Sequence, residues 1–268
     1  MLPASFSRLR ESLPSPWGKF LGATCLLLLF FVWFAITLGE AEQRVVSPTI
    51  LPGPFEVFGS VPSLFTERGL LPGIGISLAR VAAGFLLAVG IGVPLGILAG
   101  SFRVLDSFLA PISIALRNVP VAALVPLTLL WFGIGESQKV LFIFVACLPF
   151  AYADAHSAVL NVPERYLDTA RTLGANQKQI VLNVLIPLAL PDIVRSFRGL
   201  LGMAFGYIML AELVNAGNGL GFLLNQSQRR GLTEHVYLIL VVIGVLAWLI
   251  DFGLKALERW LFPYREAQ

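Results

Sequence analysis

Residues 167–193 read LDTARTLGANQKQIVLNVLIPLALPDI, a polar, helix-compatible run inside a chain that is otherwise lipid-soluble. An acid, Asp168, is followed by two small residues, Thr169 and Ala170; Gly174 comes four residues after Ala170. An amphipathic run then ends in Val184, Ile186 and Pro187, an aliphatic-x-aliphatic-Pro pattern. Upstream, Pro163 is suited to open a helix and Glu164 to complement its N-terminal dipole. Tyr166, Ala170 and Leu173 recur at i, i+4 and i+7, a face that fits a groove on a partner. Thr169, Ala170 and Ala175 are small enough for close approach, and Gly174 permits a sharp turn.

The surroundings of this run are those of a membrane protein. Of the 268 residues, 57% are hydrophobic and 13% charged, and the mean hydropathy is +0.82. Soluble domains carry about 25% charged residues, so too little charge is present to cover a water-facing surface. Leu21 to Leu38 is an uncharged run of 18 residues, long enough for a ~30 Å hydrocarbon core. It exceeds the h-region of a signal peptide and lacks a small-x-small cleavage site, which favours an uncleaved first span. The Pro-rich stretch Glu40 to Leu71 reads as an exposed loop. Further spans are expected from about Ile74 to Gly100, over Ser107 to Gly135, from Lys139 to about Leu160, over Val194 to Asn215 and over Val236 to Ala256. The third is longer than a straight crossing needs, and Pro111, Pro120 and Pro126 predict a tilted or kinked helix.

Six spans put both termini on one side. Twelve of the nineteen Lys and Arg fall on that side, including Arg8, Arg10 and Arg265, against five on the other, with Arg80 and Arg117 within or at the edges of spans. The asymmetry predicts cytoplasmic termini and a cytoplasmic 167–193 segment. The expected division is a cytoplasmic segment over 1–19, a first span over 20–38, an outer loop over 39–73, a helical core over 74–260 with a cytoplasmic loop at about 161–192, and a tail over 261–268.

Several function classes are disfavoured. Cys25 and Cys147 lie in apolar runs, and His156 and His235 are the only histidines, so no metal cluster is expected. There is no GxxxxGK[ST], hence no phosphate-binding loop, and ATP could act only through another polypeptide. The small net charge of +3 carries no nucleic-acid signal. An ion-coupled transporter would need acids at depth, which residues 74–154 almost lack. An intramembrane enzyme would need a nucleophile and base there, and His and buried acids are scarce.

The 167–193 run resembles the EAA loop of ABC importer permeases, in which Glu-Ala-Ala, a Gly and a distal Ile-x-Leu-Pro sit at these intervals. Here Asp168 stands for the Glu, Thr169 for the first Ala, Val184 for the Ile and Ile186 for the Leu. A second block, Arg117-Asn118-Val119-Pro120 through Trp131-Phe132-Gly133-Ile134-Gly135-Glu136, is similar to the corresponding segment of taurine and alkanesulfonate permeases. The resemblance covers about residues 70–260. It implies an all-α integral membrane fold of six transmembrane helices, the MetI-like type I importer permease. It also implies a homodimer with two cytoplasmic ABC ATPases, which bind ATP and Mg, and a periplasmic or lipid-anchored solute-binding protein. Tyr166, Asp168, Thr169, Ala170, Leu173, Gly174 and Ala175 would then be the ATPase-coupling residues. The solute would be a small anion, an aliphatic sulfonate or taurine first, with nitrate, bicarbonate or another small solute of the same importer class as alternatives, carried across a bacterial inner membrane.

Three further features keep more than one reading. Gly84, Ala88, Gly92, Gly96 and Gly100 form a small-xxx-small stripe for packing within the protomer or for a subunit interface. Arg117, beside Asn118, either attracts anions on the translocation pathway or snorkels at the cytoplasmic interface. Glu212 either gates the pathway or contacts the binding protein, or else pairs with Arg229 or Arg230. Gly217, Gly219 and Gly221 follow no strand and are expected to break a helix rather than cradle a nucleotide.

Overall fold

A computed structural model describes residues 15–40, 44 and 46–263; Arg8, Arg10 and Arg265, with the rest of 1–14 and 264–268, lie outside the described residues. Helices dominate and no strand occurs among the described residues. The elements are α1 (Ser15–Ile36), α2 (Pro54–Gly59), α3 (Val61–Thr66), α4 (Leu70–Ser101), α5 (Arg103–Asn118) and α6 (Val121–Phe132). They continue as α7 (Glu136–Leu160), α8 (Glu164–Thr172), α9 (Gln177–Ile180), a π-helical turn at Val181–Leu185, α10 (Ile186–Asn215), α11 (Leu220–Arg229) and α12 (Thr233–Leu261).

Four described helices are long and apolar enough to cross a membrane: Leu70–Ser101, Glu136–Leu160, Gln177–Val214 and Thr233–Leu261. The α5–α6 pair supplies a fifth crossing if taken as one, and Phe20–Ile36 is a shorter apolar helix. The expected tilted or kinked third span is instead broken, its halves bent by 102°. Val119 is extended there (φ −71°, ψ 126°), because the following Pro120 ring disfavours helical backbone at the residue before it. A second difference concerns the polar run. It is no free-standing loop, because its distal half continues without a break into the fifth span. Pro187 lacks an N–H and its ring crowds the preceding turn. The wider π-turn at Val181–Leu185, closed by Ile186 N–H donating to Val181 O, lies just before it.

The central seam is α4 against α7. A Cβ built on Gly84 would lie 2.6 Å from Ile143 Cβ, on Gly92 2.9 Å from Ala151 Cβ, on Gly96 2.8 Å from Ala155 Cβ and on Gly100 2.9 Å from Val159 Cβ. Two rows at four-residue spacing thus face each other, with Ala88 and Cys147 buried in the same core. α10 packs across this pair and carries α11 and α12. α1 is exposed along Leu26 to Val32 and is tied on by Trp33 Nε1–H donating to Pro52 O at 3.0 Å. The segment before α4 docks on α12 through Thr233 Oγ1–H to Thr49 O (3.1 Å), Tyr237 O–H to Ile50 O (3.0 Å) and Ser63 Oγ with His235 Nε2 (2.8 Å).

In that segment Arg44 donates to Glu56 at 2.7 and 3.2 Å, and Gly53 N–H donates to Glu56 at 2.7 Å. The guanidinium first, then the backbone N–H, holds the Glu56 carboxyl below its ordinary value of 4.5. A group with a depressed folded pKa contributes above the ordinary value, and the contribution is lost as pH falls through the lowered one. Proteolysis of the 46–66 segment should therefore accelerate in wild type as pH is taken below the ordinary carboxylate value, and already at neutral pH in Glu56→Gln.

The seam makes a sharper prediction. Gly84→Leu must push α4 off Val140 and Ile143 and should cost at least ~1–3 kcal/mol of overpacking. Gly90→Ala, with nothing within 4 Å, should be tolerated. Thermal midpoints by fluorescence-detected size exclusion should separate the two, and equal midpoints would contradict the packing account.

Candidate functional site

At one end of the bundle α8 and α9 form a capped helical hairpin. Pro163 enters α8 with extended backbone, and Glu164 in the first turn and Arg171 in the last match the helix dipole. Arg171 Nη1 donates to Asp168 at 3.0 Å and Glu164 at 3.1 Å. Thr169 Oγ1–H donates to Arg165 O at 2.7 Å and Thr172 Oγ1–H to Asp168 O at 2.8 Å. The helix ends in a Schellman motif, with Gly174 N–H to Arg171 O (2.9 Å) and Ala175 N–H to Ala170 O (3.0 Å). Gly174 has φ +82°, the left-handed conformation that this cap requires. Asn176 then opens α9 with a reciprocal capping box: Gln179 N–H donates to Asn176 Oδ1 (2.9 Å), and Asn176 N–H to Gln179 Oε1 (2.8 Å).

The side chains of α8 divide differently from the simple i, i+4, i+7 reading. Ala170 faces inward, in a core with Ala155, Val159, Ile180, Leu185 and Ala189. Tyr166 and Leu173 face outward, 41% and 82% exposed. Ala175 lies partly buried against the same inner core. Arg165 stacks over the Tyr166 ring at 5.1 Å. A hollow of about 450 Å³ opens beside them, bounded by Pro163, Arg165, Tyr166, Pro187 and Asp192. The hairpin therefore offers an exposed leucine, a braced tyrosine and a concavity on a backbone capped on both sides of its turn.

At the opposite end lies a buried ion cluster. Arg80 of α4 is 3% exposed and Glu212 of α10 is 1% exposed. Arg80 Nη1 donates to Glu212 Oε1 at 2.7 Å and to Asn218 O at 3.0 Å. Its Nε and Nη2 make a fork on Glu136 at 2.6 and 2.5 Å, and Nη2 also reaches Asn218 Oδ1. Ser77 Oγ lies 2.8 and 2.9 Å from the two Glu212 oxygens and accepts from Leu220 N–H at 2.9 Å. Gly221 N–H donates to Glu212 Oε2 at 2.8 Å. Glu212 thus pairs with Arg80 rather than with Arg229 or Arg230; Arg229 instead donates to Asn225 at 2.7 Å. The glycine-rich turn breaks the helix as the sequence suggests. Gly219 has φ +107°, and a Cβ there would strike the Glu212 carboxylate at 2.5–2.6 Å.

Arg117 and Asn118 are not part of this cluster. Both lie exposed in the last turn of α5, where Asn118 donates to Ile114 O at 2.9 Å and Arg117 is within electrostatic reach of Tyr152 and Asp154. The sequence-based candidates omit Ser77, Arg80, Glu136, Lys139 and Asn218. The available signal is an Arg with a Ser three residues earlier on one helix face, in a span where any charge needs a partner.

Removing one member of a buried pair leaves the other bare and costs ~3–5 kcal/mol. Glu212→Leu should therefore lower the thermal midpoint far more than Asp168→Leu on exposed α8. Similar midpoints would show that the cluster does not hold the fold.

Comparison with known proteins agrees with this architecture. A family model described as binding-protein-dependent transport system inner membrane component matches residues 92–264. The taurine transport system permease protein TauC of Escherichia coli is 33% identical over 89% of this chain and 87% of its own length. The putative aliphatic sulfonates transport permease protein SsuC of Bacillus subtilis is 32% identical over 90% and 87%. The nitrate import permease protein NrtB of Synechocystis is 29% identical over 90% and 88%. Among solved structures, a chain of the MetNI methionine ABC transporter in inward-facing conformation superposes with a TM-score of 0.65 at 27% identity, covering 71% of this chain and 94% of that one. A bacterial alginate ABC transporter shares the fold at 13% identity, with a TM-score of 0.56 over 94% of this chain and 97% of that chain. These matches make the molecule a non-catalytic, multi-pass inner-membrane permease subunit with the MetI-type ABC permease fold. The chain belongs to the family of binding-protein-dependent transport system inner membrane components.

Proposed function

We propose that this chain is the membrane-spanning subunit of an importer for a small oxyanion, with an aliphatic sulfonate or taurine as the first candidate. The observation that carries the importer reading is the capped α8–α9 hairpin, with Leu173 82% exposed on a backbone braced by the Schellman turn and the capping box. An exposed apolar side chain on a rigid support is what a handle for a partner requires. Tyr166, Asp168, Thr169, Leu173 and Gly174 meet the groove of a cytoplasmic ABC ATPase, with Ala170 and Ala175 anchoring the handle from within. The hairpin end and both termini face the cytoplasm, as the Lys and Arg asymmetry favours. The glycine-rich turn and Glu212 end face outward, toward a periplasmic or lipid-anchored solute-binding protein. Two copies form the pathway, with Arg117 and Asn118 on its inner half. ATP binding, in subunits that carry the nucleotide and Mg, draws the two hairpins together and opens the spans outward; hydrolysis resets them inward.

The sulfonate assignment draws on the relatives named for taurine and aliphatic sulfonates, which are 33% and 32% identical. Nitrate is the second reading, because permeases named for nitrate import lie at 29% and 28%.

Gly174→Asp should insert normally yet abolish uptake, since any side chain is strained at φ +82° and a carboxylate would crowd the groove. Leu173→Asp should do the same without backbone strain. Cells carrying either variant at wild-type membrane abundance should take up radiolabelled taurine or ethanesulfonate at least about tenfold more slowly, equivalent to ~1.4 kcal/mol or more. Wild-type uptake in both variants would refute the handle. Uptake unchanged after deleting the whole chain would refute the substrate.

A further inference from the structure

The two carboxylates on Arg80 are held very differently. Glu212 has a side chain 0% exposed and is enclosed by Arg80, Ser77 and the Gly221 N–H. Glu136 has a side chain 62% exposed, although its fork on Arg80 is tight, at 2.6 and 2.5 Å. Its other charged neighbour is Lys139 Nζ at 3.5 Å, whose side chain is 4% exposed. Glu136 is the first residue of α7 and follows Gly133 (φ +70°) and Gly135, so its backbone support is a short glycine-containing linker. Glu212 is a fixed wall of the cluster, and Glu136 is its solvent-facing plug.

Charge balance says what can replace the plug. Arg80 and Lys139 are balanced by Glu212 and Glu136. If Glu136 swings into water, one uncompensated positive charge remains among nearly inaccessible groups, which is costly. A neutral solute does not restore the balance, and a cation worsens it. A small oxyanion does, and two of its oxygens fit the same Nε and Nη2 donors, because a guanidinium fork accepts two oxygens of a planar carboxylate or nitrate, or of a tetrahedral sulfonate, side by side.

We propose that Arg80 and Lys139 form an oxyanion-binding site at the Glu212 end of the helical core, which Glu136 occupies as a tethered counterion and yields to a sulfonate-, nitrate- or carboxylate-bearing solute. The proposal rests on the small-oxyanion importer reading and adds its binding residues. Exchange is self-selecting, because the plug leaves without penalty only when an anion arrives.

The test is equilibrium binding of radiolabelled ethanesulfonate to the full-length chain in phosphatidylcholine nanodiscs. Glu136→Gln keeps the size and removes the tethered charge. It should bind ethanesulfonate at least about tenfold more tightly than wild type, because an internal competitor that fills a site roughly nine-tenths of the time or more weakens apparent affinity by that factor or more. Adding Arg80→Lys should erase the gain, because the charge remains but the fork is lost. Nitrate should compete, and dimethyl sulfone, a neutral compound of similar size, should not. Unchanged, weaker or unmeasurable binding in Glu136→Gln, or equal competition by dimethyl sulfone, overturns the site. If Glu136→Gln does not elute as a single species, Glu136→Ala, which also removes the tethered charge, is read by the same criterion. Cellular uptake separates this failure from failure of the importer reading. If sulfonate and nitrate uptake persist after the chain is deleted, the importer reading falls. If uptake requires the chain but Glu136→Gln gains no affinity, only the site falls.

Discussion

The distance between α4 and α7 is the constraint on which the rest depends. Hydrocarbon gives two helices no hydrophobic reason to meet, so association rests on close van der Waals contact and on polar groups that need each other. Gly84, Gly92, Gly96 and Gly100 have no room for a Cβ against α7. Arg80 belongs to the same four-residue row, one step beyond Gly84. The close approach that the glycines permit therefore continues into a position where a guanidinium reaches the first residue of α7 and, across the seam, Glu212 of α10.

The two ends of the molecule consequently obey different physics. The hairpin end is wet, and its order comes from backbone caps and short local hydrogen bonds, each contributing about 1 kcal/mol. Its side chains remain free for contact with another protein. The cluster end is dry at Arg80, Lys139 and Glu212, and these buried charges are tolerable only because they have partners. A partner can grip the first without disturbing the fold. Any solute that enters the second must replace what it displaces.

The sequence displays some of this directly and conceals the rest for physical reasons. Long uncharged runs mark the membrane-crossing helices because length and apolarity suffice to define them. The small-residue recurrence marks a contact face on α4, but which helix meets it is not contained in a local pattern. Pro120 announces an interruption, yet a kink and a 102° break share the same local signal, and packing of the two halves decides between them. Ala170 falls at the spacing of Tyr166 and Leu173, but the turn at Gly174 folds α9 back and covers it. Glu212 is conspicuous as an acid near the outer end of a span, whereas its partner Arg80 lies 132 residues away and could equally be read as an anchor at the edge of a span. Pairing between distant charges is a tertiary fact.

The uninterrupted helical path from Gln177 to Val214 has a mechanical consequence. It joins the hairpin to the ion cluster by a single rod, with the widened turn at Val181–Leu185 as its most compliant point. From that turn to Glu212 the rod measures ~40 Å, so a tilt of about 5° displaces the far end by ~3.5 Å. A hydrogen bond between heavy atoms does not survive a stretch of that size. A small rotation at one face of the membrane would therefore be read at the other as an all-or-none rearrangement of charged contacts, with the lever arm providing the gain.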